Sequence, residues 1–227
     1  MKYFVTETAD FIMIEFDNVS LMINNTRIVE DVSFRVKKGD FVFLVGPSGA
    51  GKSSILNLIH CNMYPTLGSV IVRNEDTKKI PNSRIPYLRR SIGFIFQDYK
   101  LLKNKTAYEN VAFTLEVTCT KRKIIKQKTL QALNTVGMTH RLNHFPGDLS
   151  GGECQRTAIA RAIVQEPFIL LADEPTGDLD QESSWAILEL LEKINLSGTA
   201  ILMATHKDEF ACKGSSRIIK ISDGRMV

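Results

Sequence analysis

The stretch "FVFLVGPSGAGKSSILNLI", residues 41–59, decides the fold. It joins an apolar run, a glycine-rich loop and an apolar helical segment. A short uninterrupted apolar strand is the kind buried on both faces of a parallel sheet. The loop behind it must curl so that successive N–H groups point inward, which glycine permits, and the next helix aims its positive end at the same spot. Strand, loop and helix in this order predict a phosphate cradle over Gly46, Pro47, Ser48, Gly49, Ala50, Gly51, Lys52, Ser53 and Ser54. In such a cradle Lys52 reaches the β- and γ-phosphates of a nucleoside triphosphate, and Ser53 ligates magnesium.

Working outward, "IMIEFDNVSL" and "RIVEDVSFRV" alternate apolar and polar residues on either side of "NNT". That pattern predicts an antiparallel hairpin with one buried face. "GFIFQ", "FILLAD" and "TAILMAT" are further buried-strand runs separated by helical stretches, so strand and helix alternate, as in an α/β fold. Residues 98–165 differ. They hold the helical runs "TAYENVAFTLEV" and "KRKIIKQKTLQALNTVG", the second closed by Gly137, and read as a helical insertion between two sheet strands. "FILLADEP" ends its strand in two carboxylates: Asp173 falls near the magnesium shell, and Glu174 is free to polarise a water in line with the γ-phosphate.

Composition bounds the rest. The chain has 227 residues, 44% of them hydrophobic, enough for one large α/β domain. A net charge of +4 is too mild to point to nucleic acid as the main partner, and none is expected. Cys61, Cys119, Cys154 and Cys212 are too scattered for a zinc site or a disulfide framework and read as reduced thiols of a cytoplasmic protein. No apolar run approaches the roughly 20 residues of a bilayer span. The opening "MKYFVTETADF" lacks the apolar core of a secretory signal, so a membrane role requires a partner.

"LSGGECQR", Leu149 to Arg156, starts a helix with a serine and two glycines, a second ready anion site. With the cradle and "FILLADEP" ahead of and behind it, the chain resembles the nucleotide-binding subunits of ABC ATPases from about Met13 onward. That resemblance implies a P-loop NTPase fold: an N-terminal antiparallel β-subdomain, a mostly parallel core sheet and an inserted α-helical subdomain at about 98–165, with residues 1–12 as an extension. It implies ATP and Mg2+ as ligands. It also implies a homodimer with composite ATP sites, in which Ser150, Gly151 and Gly152 of each copy complete the site around the other copy's Lys52. Gln97 in "IFQDY" matches the loop linking γ-phosphate and magnesium to the helical subdomain. Asp180 in "GDLD" matches the residue that communicates across the dimer, and His206 in "LMATH" matches the switch histidine holding the γ-phosphate and attacking water. Glu174, His206 and Gln97 are thus the expected catalytic group, with Ser53, Gln97 and Asp173 at the metal.

Within the family, "IPYLRRSIGFIFQDYKLLKNKTAYENVAFTL", "ADEPTGDLD" and "SDGRMV" are similar to the cell-division, FtsE-type branch. The resemblance implies a polytopic membrane partner of the FtsX kind, control of peptidoglycan hydrolases, and a location at the inner face of the cell membrane through that partner. Lipoprotein-release and macrolide-type exporter subunits share several of these features and form the alternative. A soluble ABC protein acting on nucleic acid or ribosomes is a third reading, disfavoured because the chain has neither a second ATPase domain nor a coiled-coil insertion. Three positions depart from the family pattern. Ile23 aligns with the aromatic that stacks on adenine, losing a stacking contribution of roughly 0.5–1.5 kcal/mol and leaving base specificity open. Cys154 replaces a common glutamine, and Lys207 follows the switch histidine where aspartate is usual. His140 and His144 are spaced for a metal on a helix but lack further ligands. Lys121, Arg122, Lys123, Lys126 and Lys128 read as a solvated helix face, with anionic lipid as the functional alternative.

Overall fold

The computed structural model describes residues 11–211 and 216–227. Residues 1–10, most of the expected N-terminal extension, and Cys212 lie outside the described residues. The described residues open with β1 (Ile12–Ile23) and β2 (Thr26–Lys37), an antiparallel pair. Between them Asn24 and Asn25 both adopt left-handed backbone, at φ 48° and 61°. Asparagine tolerates that region, and two such residues make the tight turn whose twist matches the strands.

β3 (Phe41–Val45) leads through the glycine loop into α1 (Lys52–Ile59). β4 (Leu67–Val72) then returns to pair antiparallel with β1, and the two-residue β5 (Glu75–Asp76) pairs with β4. The result is a four-stranded sheet in the order β2-β1-β4-β5. After α2 (Ile85–Arg90) and β6 (Ile92–Ile95), three helices follow without a strand: α3 (Ala107–Glu116), α4 (Arg122–Thr135) and α5 (Gly151–Ile163). The chain rejoins the core as β7 (Ile169–Asp173), α6 (Gln181–Leu196), β8 (Ala200–Thr205), the short α7 (Asp208–Ala211), β9 (Arg217–Ser222) and β10 (Arg225–Met226). The second sheet runs β10-β9-β3-β8-β7-β6 and is parallel except for β10.

The unbroken apolar runs are explained by what covers each face. In β3, Val42 and Leu44 join one core, shared with α1 and the antiparallel sheet, while Phe41, Phe43 and Val45 join another with α3, α4, α5 and α6. β8 divides the same way, Ala200, Leu202 and Ala204 against Ile201 and Met203. A strand with two buried faces has no position for a polar residue until it ends. The first polar residues beyond these strands therefore collect along one edge, where the loops after β3, β6, β7 and β8 meet. Each of the predicted strands is present; β4, β5, β9 and β10 are additional to them.

The helices carry their own start signals. Thr106 caps α3 and Ser150 caps α5, each in a reciprocal pair with the glutamate three residues on, Glu109 and Glu153. Gly137, at φ +74°, follows α4 as a left-handed stop.

Candidate nucleotide site

A cleft of about 580 Å³ lies at this loop edge, lined by Ile28, Pro47, Ser48, Gly49, Gly51, Lys52, Ser53, Ser54, Gln97, Glu174, Gly177 and His206. The loop of residues 46–51 is held from behind. A Cβ on Gly46 would overlap the Ile221 carbonyl oxygen of β9, so only glycine fits. The Ala50 carbonyl accepts from the Gly224 amide at 3.2 Å, and the Gly224 carbonyl accepts from Glu30 on β2 at 2.8 Å. Gly51, at φ +101°, stands before α1 and provides no side-chain cap. The first N–H groups of α1 therefore face the cleft available to an anion.

Lys52 is 5% exposed, an unusual burial for an ammonium. Its Nζ donates to the Gly46 and Pro47 carbonyls at 2.8 and 3.0 Å and lies 3.3 Å from Glu174 Oε1. Across the cleft, Glu174 Oε2 is 2.6 Å from His206 Nδ1. Thus the lysine, the glutamate and the histidine form one chain of charge-assisted contacts. The backbone of Glu174 is left-handed at φ 48°, its N–H donates to Ala204 on β8 at 3.0 Å, and its carbonyl accepts from Gly177 at 3.0 Å. The sharp turn lifts its carboxylate off the end of β7 and into the cleft.

One residue earlier, Asp173 Oδ1 accepts from Ser53 Oγ at 2.9 Å. Burial raises the Asp173 pKa; the Ser53 hydroxyl opposes that, and the neighbouring Glu174 charge adds to it. Ser53 and the Gln97 side chain line the cleft, and Asp173 adjoins it through the Ser53 hydroxyl; hydroxyl, amide and carboxylate are hard oxygen donors of the kind that hold magnesium beside phosphates. Gln97 also faces the turn after Glu174: a Cβ on Gly177 would be 3.5 Å from its Nε2.

Not every predicted residue enters this cleft. Gly46 and Ala50 form its back rather than its lining. Ser150, Gly151 and Gly152 lie at the start of α5, and Gly151 packs beside Leu179 and the Tyr99 hydroxyl. Asp180 caps α6, accepting from the Ser183 amide at 2.8 Å and its hydroxyl at 2.7 Å, and these bonds lower its pKa. Ser150, Gly151 and Gly152 are thus absent from the lining of the cleft that holds their own Lys52. Ile23 is also absent from the lining; it ends β1 at the hairpin tip, 37% exposed, and the aliphatic residue in the cleft is Ile28 on β2. The Cys154 thiol is buried against the Pro146 carbonyl, and burial raises its pKa. His140 and His144 sit on and after a single 3-10 turn instead of an α-helix, near the Arg141–Glu153 pair.

Two features are not legible in the motifs. Lys207 Nζ donates to the Thr176 carbonyl at 3.3 Å and lies 5.3 Å from the Phe210 ring centroid. His206 and Lys207 therefore grip the turn after β7 at two points, one the carboxylate of Glu174 and one the backbone beyond it. In addition, Tyr99 and Lys100 take left-handed backbone in succession, and Arg161 of α5 donates to both of their carbonyls, at 2.6 and 2.5 Å. One guanidinium thus ties the segment after Gln97 to the helix that begins at Ser150.

A family profile described as ABC transporter matches residues 29–177. The chain belongs to the ABC transporter family. As an ABC ATPase subunit it is 47% identical over 211 residues to the cell division ATP-binding protein FtsE of Streptococcus pneumoniae, covering 93% of this chain and 92% of that protein. It is 41% identical to FtsE of Escherichia coli over 94% of this chain and 97% of that protein. Among solved structures it is similar to a dimeric ATP-binding cassette in a post-hydrolysis state bound to ADP and Pi, at 36% identity and a TM-score of 0.84, covering 94% of this chain and 96% of that one. The ABC cassette fold accounts for the antiparallel sheet, the mostly parallel core and the three inserted helices. These relatives favour the cell-division branch over the exporter alternative.

Proposed function

We propose that this chain hydrolyses ATP at a site shared between two copies and transmits the resulting change of state to a polytopic membrane protein of the FtsX kind, in control of cell-wall hydrolases during division. The observation that carries the reading is the contact chain Lys52–Glu174–His206 beside the Ser53–Asp173 pair, on a cleft that the Ser150 group of the same copy does not enter. The incoming γ-phosphate competes with Glu174 for Lys52. Once the lysine turns to phosphate, Glu174 is released to accept a proton from water, while His206 steadies the water and the phosphate. Catalysis of this kind is positioning and charge, which these groups supply. Mg2+, held by Ser53, Asp173 and Gln97, would neutralise charge on the β- and γ-oxygens. Ile23 and Ile28 offer the base an aliphatic surface rather than an aromatic one.

The partner copy's Ser150, Gly151 and Gly152 would close the site over the γ-phosphate, with Asp180 near the seam; ATP favours that closed state because only there are both cradles filled. Residues 98–165 form the helical subdomain in this reading. Among the described residues no helix is long and apolar enough to cross a membrane, so we place the chain at the inner membrane face through its partner. A groove of about 510 Å³ between α2, β6, α3 and α5, lined by Phe94, Phe96, Val117, Arg89, Arg90 and Lys100, is the surface we assign to a cytoplasmic helix of that partner.

The test is Glu174→Gln. ATP binding is retained, turnover is lost, and an ATP-held dimer accumulates that captures the membrane protein from native membranes. Parent-like turnover would remove Glu174 as the base. Mixed dimers of Ser150→Arg with Lys52→Ala, shown to form, should regain part of the activity that each variant lacks alone, since one composite site stays whole.

A further inference from the structure

Positive charge gathers in two stretches that hold no acid: residues 77–97, with five lysines and arginines, and residues 117–147. Residues 117–147 contain six lysines and arginines and no aspartate or glutamate, while the whole chain has 29 cations and 25 acids. Outside that segment the acids therefore outnumber the cations. Within it, Lys128 is paired with Glu166 at 3.0 Å and Arg141 with Glu153 at 2.8 Å. The other four, Lys121, Arg122, Lys123 and Lys126, are exposed on the first turns of α4 and make no ion pair among the described residues. Ile124 stands among them, 40% exposed.

This arrangement does not serve the helix. Cations in a first turn oppose the helix dipole, and α4 starts without a side-chain cap or an acid, unlike α3, α5 and α6, each of which has a glutamate in its first turn. Nor does the face fold back onto the domain, since Ile125, Thr129, Ala132 and Leu133 are the residues α4 buries. The patch is also continuous with the groove assigned to the membrane partner. Val117 and Thr118 line that groove, and three peptide units separate Thr118 from Lys121, at most about 11 Å of chain.

We propose that Lys121, Arg122, Lys123 and Lys126 form a docking surface for anionic phospholipid headgroups, with Ile124 at the interface, so that each copy touches the bilayer beside its membrane partner. The proposal rests on the membrane-partner reading for the orientation of the groove. An anionic leaflet attracts each nearby lysine or arginine by about fivefold in affinity. Four together give useful attachment, and the attraction falls with salt.

The test needs no partner. Full-length chain is sedimented with vesicles of phosphatidylcholine alone or mixed with phosphatidylglycerol. Binding to the anionic vesicles only, weakened about 25-fold by Lys121→Gln with Lys123→Gln at unchanged ATPase activity, is the expected result. Equal binding by the double variant, or no preference of the parent for anionic vesicles, overturns the proposal. The double variant is also placed in the Glu174→Gln background for membrane-protein capture in detergent. If it keeps its vesicle binding but loses the captured protein, the patch is a protein-docking surface and the lipid assignment fails. If no polytopic protein is captured even by the parent, the partner reading fails while the vesicle result still stands on its own.

Discussion

Replacing Lys207 with methionine keeps the length of the side chain and removes its ammonium. The Thr176 carbonyl that it serves belongs to a residue only 1% exposed, and the remaining donor there, the Ser184 hydroxyl, is 3.5 Å away. A hydrogen bond from a charged donor contributes about 1.5–3 kcal/mol. The 3.3 Å length and the half-buried position of the lysine bring this one down to about 1 kcal/mol. The contact with Phe210 adds about 0.5 kcal/mol. The hydrogen bond holds the turn that aims Glu174 and the ring contact fixes the ammonium that makes it, so their loss should lower kcat by about tenfold. KM for ATP should hold, because Lys207 does not line the cleft. Phosphate release measured against ATP concentration separates the two, and Lys207→Arg should recover most of the rate. A methionine variant with kcat within about twofold of the parent, or with a change confined to KM, would refute this account of Lys207.

Gly46→Ala should abolish nucleotide binding in calorimetry, since the new methyl must displace β9 or the loop; parent-like affinity would mean that the backing strand is not a constraint. Asn110→Ala should cost about 3 kcal/mol and lower the melting temperature by roughly 6–12 °C, because the fully buried amide accepts from Leu102 and donates to the Leu102, Lys105 and Thr106 carbonyls. Burial beside Phe94 pulls His60 down to about 4 from 6.5. Between those values the unfolded chain binds more protons, so stability is full above 6.5 and falls as pH drops toward 4. Urea unfolding should lose roughly 1.4 kcal/mol between pH 7.5 and 5.5, and His60→Phe should flatten that slope.

The elements visible in the sequence are those whose signal is local. β3, β7 and β8 announce themselves as continuous apolar runs because both faces are covered, and Ser150 and Thr106 announce helix starts three residues ahead of a glutamate. β4 and β9 carry less. Only Val70 and Val72 of β4 and Ile219 and Ile221 of β9 are buried, too short an alternation to separate from a loop. Their pairing with β1 and β3 is also long-range and leaves no local trace. At the site, the glycine loop, Asp173 and Glu174 stand out by residue type and spacing, and His206 only through the family resemblance; the structure brings Lys52, Glu174 and His206 to one cleft. Lys207 is visible only as a departure, since its partner is a backbone carbonyl and backbone has no letter. The sequence points to Ile23 as the neighbour of the base, while Ile28 on the same hairpin is the aliphatic residue that lines the cleft; an alignment position marks a family habit and does not reveal which side chains border a cavity.

The strands that close the back of the phosphate loop come from the far end of the sequence. Gly46 rests on Ile221, and Ala50 and Glu30 are both fastened to Gly224. While the chain is being made, β3 and the loop emerge long before β9 and β10 exist to support them. The order of synthesis therefore delays ATP binding until nearly every other element has formed. A nascent chain that stalls before residue 217 would lack the backing of its phosphate loop and should fail to take up nucleotide.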